Sequence, residues 1–288
     1  MNEESRKLII KIQKAEITEH FVYKKLAPIS ARKDHAEILE RISAEELEHY
    51  VMLEKITGEK VGPSLIRVFF YSKISSILGL NFGLKLMESG ERNAQKVYDA
   101  LAEFPQARKI MQEEKEHEKK IISLIDEEIL TYVSSVVLGL NDALVELTGA
   151  LTGFTLALQN SRLVAVVGFI TGLAAAMSMG VSNYLSVKHE EGTEKSPFRS
   201  AGYTFMAYLI TVFILITPYL MLDSIHLSLA MVIIFALLII AFFNFYASVS
   251  KGLNFKERFI EMTTLSLSVA AINYAIGLLI KRYLSVDI

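Results

Sequence analysis

The chain contains no cysteine. Disulfides, zinc ribbons, iron–sulfur clusters and rubredoxin-type modules are therefore all excluded. No basic patch interleaved with aromatics is present, so nucleic acid is not an expected partner. The first turns, MNEESRKLIIKIQKAE, hold no apolar signal-peptide core; they are charged and periodic, and the N-terminal half is expected to stay in the cytoplasm. Proline is scarce, five in 288 residues, so the few present act as strong punctuation. Charge is scarce in one half only. Residues 1–128 hold 21 Lys+Arg and 23 Asp+Glu, whereas residues 129–288 hold 9 of each. The net charge of −2 averages two unlike halves and says nothing about partners. A polar, Glu-rich segment followed by a nearly uncharged one reads as a soluble domain, 1–128, joined to a membrane domain, 129–288.

Five apolar stretches follow Glu128, near Thr131–Leu158, Leu163–Val187, Ala201–Leu222, Leu227–Val249 and Phe259–Ile280. Each approaches the roughly 20 residues that cross a bilayer as a helix. Helices are required there, because lipid offers no partner for free backbone groups. Small residues crowd the first two (Gly139, Gly149, Gly153, Gly168, Gly172, Gly180), which favours close helix contact. The second-to-third connection carries Lys188, Lys195 and Arg199, and the fourth-to-fifth Lys251, Lys256 and Arg258. The other two carry only Arg162. The positive-inside rule then predicts a cytoplasmic N-terminal domain and an external C-terminus in the cell membrane, with Lys281 and Arg282 against the trend. A sixth apolar stretch, Ser64 to Met87, contains Arg67, Lys73 and Lys85. It reads as the start of a bundle helix, free to pack on the membrane surface or on a second subunit.

Asp142 and Glu146 stand four apart on one face of the first span, near its middle. A carboxylate at that depth costs at least about 3 kcal/mol unless a cavity, partner or ion receives it. No Lys or Arg occupies the centre of another span to pair with it. Met179 and Asn183 share a face of the second span, and thioether sulfur is a soft metal ligand. GLNDALVELTGALTG in the first span and SMGVSNYLSV in the second resemble the vacuolar iron transporter family, as does the five-span layout. The resemblance covers residues 130–285, specifically in the first two spans and loosely in the last three. It implies a homodimer whose interface lines a metal path with Asp142 and Met179, Glu146 falling in the same motif. There are two departures. Asn183 stands where the family often has Glu, and the family's Glu-rich insert between spans two and three is reduced to HEEGTEKSPFR.

The first 128 residues read as four helices, about 3–27, 31–57, 64–102 and 105–128, broken at Pro28, at Gly58 with Gly62-Pro63, and at Pro105. Helix two steps Ile42, Glu46, His49, Leu53, and helix four steps Ile110, Glu114, His117, Ile121. Acid and imidazole thus fall on the inward, apolar face. Helix one steps Ile12, Glu16, Tyr23, Leu26, and helix three Met87, Glu91, Tyr98, Leu101, again with identical offsets. A two-helix unit is used twice. One Glu from each of two helices plus Glu-x-x-His from each of two others is the ligand pattern of ferritin-like dinuclear bundles. By that resemblance Glu16, Glu46, His49, Glu91, Glu114 and His117 bind two iron or manganese ions. Tyr23 and Tyr98 stand behind them. Glu19 and Glu88 are candidate extra ligands, as in the rubrerythrin and erythrin branches. His20 and His35, with no Glu three residues earlier, read as packing or surface residues, and Glu113 and Lys120 as solvated.

The expected fold is therefore all-α: an N-terminal ferritin-like four-helix bundle plus a five-helix transmembrane domain. This order of domains resembles the membrane-bound ferritin family. The resemblance implies export of Fe2+, or Mn2+, from the cytoplasm. Asp142 and Glu146 can bind metal and protons in turn, so proton exchange is the expected driving force, and no Walker-type loop suggests ATP. The competing expectation is an enzyme, a membrane-anchored di-iron oxidase or peroxidase, for which acids at mid-bilayer would have no use.

Overall fold

A computed structural model of the chain describes residues 3–30, 32–87, 105–124, 127–190 and 195–284; among them every regular element is helical. The chain divides into two compact units, Met1–Asp126 and Glu127–Ile288.

In the first unit α1 (Glu3–Leu26) and α2 (Lys33–Thr57) pack along one another, joined through a short 3-10 turn at Ala27–Ile29. Next come α3 (Leu65–Leu78), which packs on α1, and α4 (Pro105–Leu124), which packs on α2. Gly58 closes α2 in the left-handed region at φ 70°, its amide returning to the Glu54 carbonyl at 2.8 Å. The stripes predicted for helices one and two are inside: Ile12, Glu16, Tyr23 and Leu26 on α1, and Ile42, Glu46, His49 and Leu53 on α2, are all buried. On α4 Ile110, His117 and Ile121 are buried, and the Glu114 side chain is 14% exposed.

Helix three departs from expectation. Instead of one rod over 64–102, the chain breaks at Gly79, where φ is 92°, and becomes helical again over 80–87. An L side chain is strained at that φ. The break brings Gly83 against Ser75, so closely that a Cβ on Gly83 would stand 1.7 Å from the Ser75 hydroxyl oxygen. Apolar spacing carries no trace of such a turn. Residues 88–102, with Glu88, Glu91 and Tyr98, lie outside the described residues.

The second unit holds α5 (Glu127–Leu158), α6 (Ser161–Lys188), α7 (Pro197–Met221), α8 (Ile225–Lys251) and α9 (Phe255–Leu284). All five are long and apolar enough to cross a membrane. The segment Ser64–Met87 yields no such helix. The helices outrun the apolar stretches by up to about a turn because capping, not hydropathy, sets their ends. Asn160 accepts the Arg162 and Leu163 amides, Ser196 the Arg199 amide and Ser224 the Leu227 amide.

Helix α5 is central and touches α6, α7, α8 and α9. Its Leu144, Leu147 and Leu151 join Val164, Tyr208, Val212 and Ile240 in one apolar core. Close approach depends on glycine. A Cβ on Gly139 would lie 2.5 Å from the Thr204 carbonyl oxygen, and one on Gly277 2.7 Å from the carbonyl of Gly153. The small residues of α5 and α6 thus serve contacts within one chain. Polar bonds add to them: Ser266 donates to the Leu144 carbonyl at 2.7 Å and Thr204 to the Ser135 carbonyl at 2.9 Å.

Candidate metal centre

Register alone places the acids and imidazoles of the first unit together. Steps of three and four keep Glu46 and His49 on one side of α2 and Glu114 and His117 on one side of α4. The packing of α1 on α2 brings Glu16 opposite. One oxygen or nitrogen from each of Glu16, Glu46, His49 and Glu114 lies within 4.8 Å of the others. His49 Nδ1 stands 3.3 Å from Glu16 Oε2, 3.5 Å from Glu46 Oε2 and 3.1 Å from Glu114 Oε1. His117 Nδ1 stands 3.0 Å from Glu46 Oε1 and 3.8 Å from Glu114 Oε1. The two imidazoles lie nearly parallel, 5.6 Å apart.

Both rings turn Nδ1 inward and Nε2 outward, and each outer nitrogen meets a carboxylate outside the expected ligand set. His49 Nε2 is 3.0 Å from Glu113 Oε2, and His117 Nε2 is 2.6 Å from Glu45 Oε2. The exchange is reciprocal, since each histidine is held by the other helix. Lys120 stands 3.5 Å from Glu45 and Lys109 3.5 Å from Glu113. A signal was available: residues 45–49 read EELEH and 113–117 read EEKEH, so the repeat includes the acid before each Glu-x-x-His. Glu113 does face solvent in part, its side chain being 39% exposed.

Electrostatics show a centre short of positive charge. Burial, and after it the charge of Glu46, pushes the Glu16 carboxyl up to about 8. Burial, then Glu16, also raises Glu114. For the imidazoles burial acts downward, but the surrounding carboxylates outweigh it. Glu114, Glu16 and Glu46 raise His49, and Glu46 with Glu114 and Glu45 brings His117 up to about 9. Burial opposes the fall at Glu45, yet His117 and Lys120 hold it below the usual carboxylate range. Glu46 Oε2 and Glu114 Oε1 are buried without a hydrogen-bond partner. Carboxylate oxygens without a hydrogen bond in such a set, beside two imidazole Nδ1 atoms, suit a divalent metal cation. Of the other predicted ligands, Glu19 is half-buried on α1, and Glu88 and Glu91 fall outside the described residues.

In the second unit Asp142 is half-buried, and Glu146, at the middle of the Tyr132–Leu158 span, is exposed on the single chain. Glu146 Oε2 accepts the Tyr208 hydroxyl of α7 at 3.0 Å. Tyr208 is fully buried and was not singled out from the sequence; a tyrosine among apolar residues carries no positional signal there. Met179 is half-buried against the apolar core. Asn183 is buried and donates to Thr204 Oγ1 at 2.6 Å, joining α6 to α7.

Residues 133–196, which take in most of α5, all of α6 and the connection into α7, match the model of the VIT family. Asp142, Glu146, Met179 and Asn183 all fall inside the matched stretch. This chain is thus similar, over two of its five membrane-length helices, to a family of membrane metal transporters, and its architecture is that of a multi-pass membrane protein. No curated protein and no solved structure matches the chain.

Proposed function

We propose that the chain exports Fe2+ or Mn2+ from the cytoplasm by proton exchange, with residues 1–128 capturing the cargo and residues 129–288 carrying it across. One observation carries this reading: a buried, incompletely paired Glu/His centre on the same chain as a VIT-like pair of spans. In the first unit Glu16, Glu46, His49, Glu114 and His117 receive the ion, and Glu91 completes the ferritin-like set of a dinuclear iron site. Glu19 and Glu88 are extra donors. Glu45 and Glu113 orient the imidazoles.

In the second unit Asp142 and Glu146 exchange metal for protons, with Met179 and Asn183 beside the path. An exposed Glu146 at mid-span would be costly against lipid. It supports a second copy of the chain covering that face, hence a homodimer. The orientation is N-terminal unit inside and C-terminus outside. Lys281 and Arg282, which run against the loop charges, lie in the last turn of α9, where cations suit the helix C-terminus whichever side it faces.

The test is flux of Fe2+ or Mn2+ into inside-out proteoliposomes, with and without a pH gradient. Uptake accelerated by an acidic lumen is expected. An absence of flux under either condition, from protein that binds metal, would overturn the reading.

A further inference from the structure

Helix α3 presents its apolar side outward. Leu65, Ile66, Phe69, Phe70 and Ile77 are 75, 83, 63, 47 and 77% exposed, while Val68 and Ser75 are buried. Stepping by helical periodicity, these five fall on one arc of about 140°, interrupted only by Lys73 and Ser76. The orientation is fixed from the other side. Val68 is buried, α3 packs on α1, and the Ser64 amide donates to Thr18 Oγ1 at 2.9 Å. No comparable stripe occurs on α1 or α2, whose exposed apolar residues (Phe21, Leu47, Val51) are each near 40%.

We infer that α3 lies flat in the anionic headgroup layer of the bilayer and holds the first unit against the membrane surface. The inference rests on the membrane-spanning reading of residues 129–288 and goes beyond it. Two occupants compete for the stripe, lipid and a second copy of this chain. The only charges from Leu65 to Leu78 are Arg67 and Lys73, with no acid among them. Lys73 stands inside the stripe. A two-fold interface centred there would set one Lys73 against the other in an apolar setting, with no acid on α3 to pair either. In a headgroup layer the same lysine snorkels to phosphates while the side chains around it enter the acyl boundary. At 14 residues, about 21 Å at 1.5 Å per residue, α3 is too short to span. Covalent attachment to the spanning helices keeps the bilayer within reach at high effective concentration.

The chain has no tryptophan, so a single one placed on α3 reports directly. Full-length F69W is reconstituted in phosphatidylcholine–phosphatidylglycerol liposomes whose acyl chains are brominated either near the headgroup or near the bilayer centre. V51W, on the exposed face of α2, is the aqueous reference; I66W repeats the measurement should F69W fold poorly. The expected result is blue-shifted F69W emission, quenched severalfold more by the shallow bromines than by the deep ones. Omitting phosphatidylglycerol, or adding K73E, should reduce that quenching. Emission and quenching like those of V51W would overturn the inference. So would a blue shift without bromine quenching, which means cover by protein, or strongest quenching by the deep bromines, which means a span.

Discussion

Two kinds of carboxylate surround each imidazole of the candidate metal centre, and substitution separates their roles. Glu46 reaches toward both His49 and His117 from the inside, so Glu46→Ala should abolish metal binding by the full-length protein, measured by elemental analysis in detergent. Glu113→Gln and Glu45→Gln keep the volume and the hydrogen bond but lose the charge behind Nε2. They should weaken binding by about 10–100-fold without removing the site. Unchanged stoichiometry in Glu46→Ala would remove the centre from its assigned place. Proton linkage gives a second test. Glu16, Glu114, His49 and His117 are all raised, so the folded metal-free protein holds more protons than the unfolded chain from 4.5, where unfolded Glu16 titrates, to about 8. The contribution of these four groups to metal-free stability is therefore greatest at the acid end and falls as pH rises through this window. Metal binding displaces those protons and is favoured in the opposite direction. The thermal shift caused by Mn2+ should accordingly grow from the acid to the basic side of the window; a pH-independent shift would contradict it. Glu16, Glu46, His49, Glu114 and His117 were legible in the sequence because burial and chemistry coincide in the i, i+3, i+4 steps. The EELEH and EEKEH repeat marks Glu45 and Glu113 but not their partners, and nothing marks Tyr208, because each acts across a gap between two helices and periodicity along one helix cannot show what the neighbour offers.

Helices are easier to read than their joints. All five membrane helices could be placed within about a turn from hydropathy alone, since a run of apolar residues near 20 long has few alternatives in lipid. The turn at Gly79 escaped because a glycine inside a periodic stretch looks the same whether it is helical or at φ 92°. The role of the small residues was also only half legible. Their density signals close approach, but not toward which partner, and the structure uses Gly139, Gly172 and Gly277 within one chain. That assignment has a measurable consequence. In Gly139→Ala the new methyl meets the Thr204 backbone of α7, which cannot swing aside as a flexible side chain could. Overpacking of this kind costs about 1–3 kcal/mol. Thermal unfolding of Gly139→Ala in detergent should show a clear loss, while Gly202→Ala, where nothing lies within 4 Å, should be near wild type. Equal stabilities would mean that α5 and α7 are not so close.

Across the whole molecule the question is whether capture and passage are separable, and Asp142 decides it. The residue is half-buried one turn before Glu146, inside the stretch that matches the VIT family and remote in sequence from every ligand of the first unit. Asp142→Asn removes the charge at nearly constant volume, so the packing of Leu144, Leu147 and Leu151 against α6 to α9 is preserved. A carboxylate at mid-bilayer costs about 3 kcal/mol or more, and its loss should leave the protein as stable as wild type or more so. The first unit, a compact body of its own, should still load metal through Glu16, Glu46, His49, Glu114 and His117. The expected signature is normal expression and normal metal content, together with near-complete loss of flux in proteoliposomes and of metal tolerance in cells. Loss of bound metal along with flux would point to misfolding instead, and the stability measurement distinguishes that case. Wild-type flux in Asp142→Asn would show that the acid is off the path. The spans would then be an anchor, and the Glu/His centre of the first unit would have to account for the protein's activity by itself.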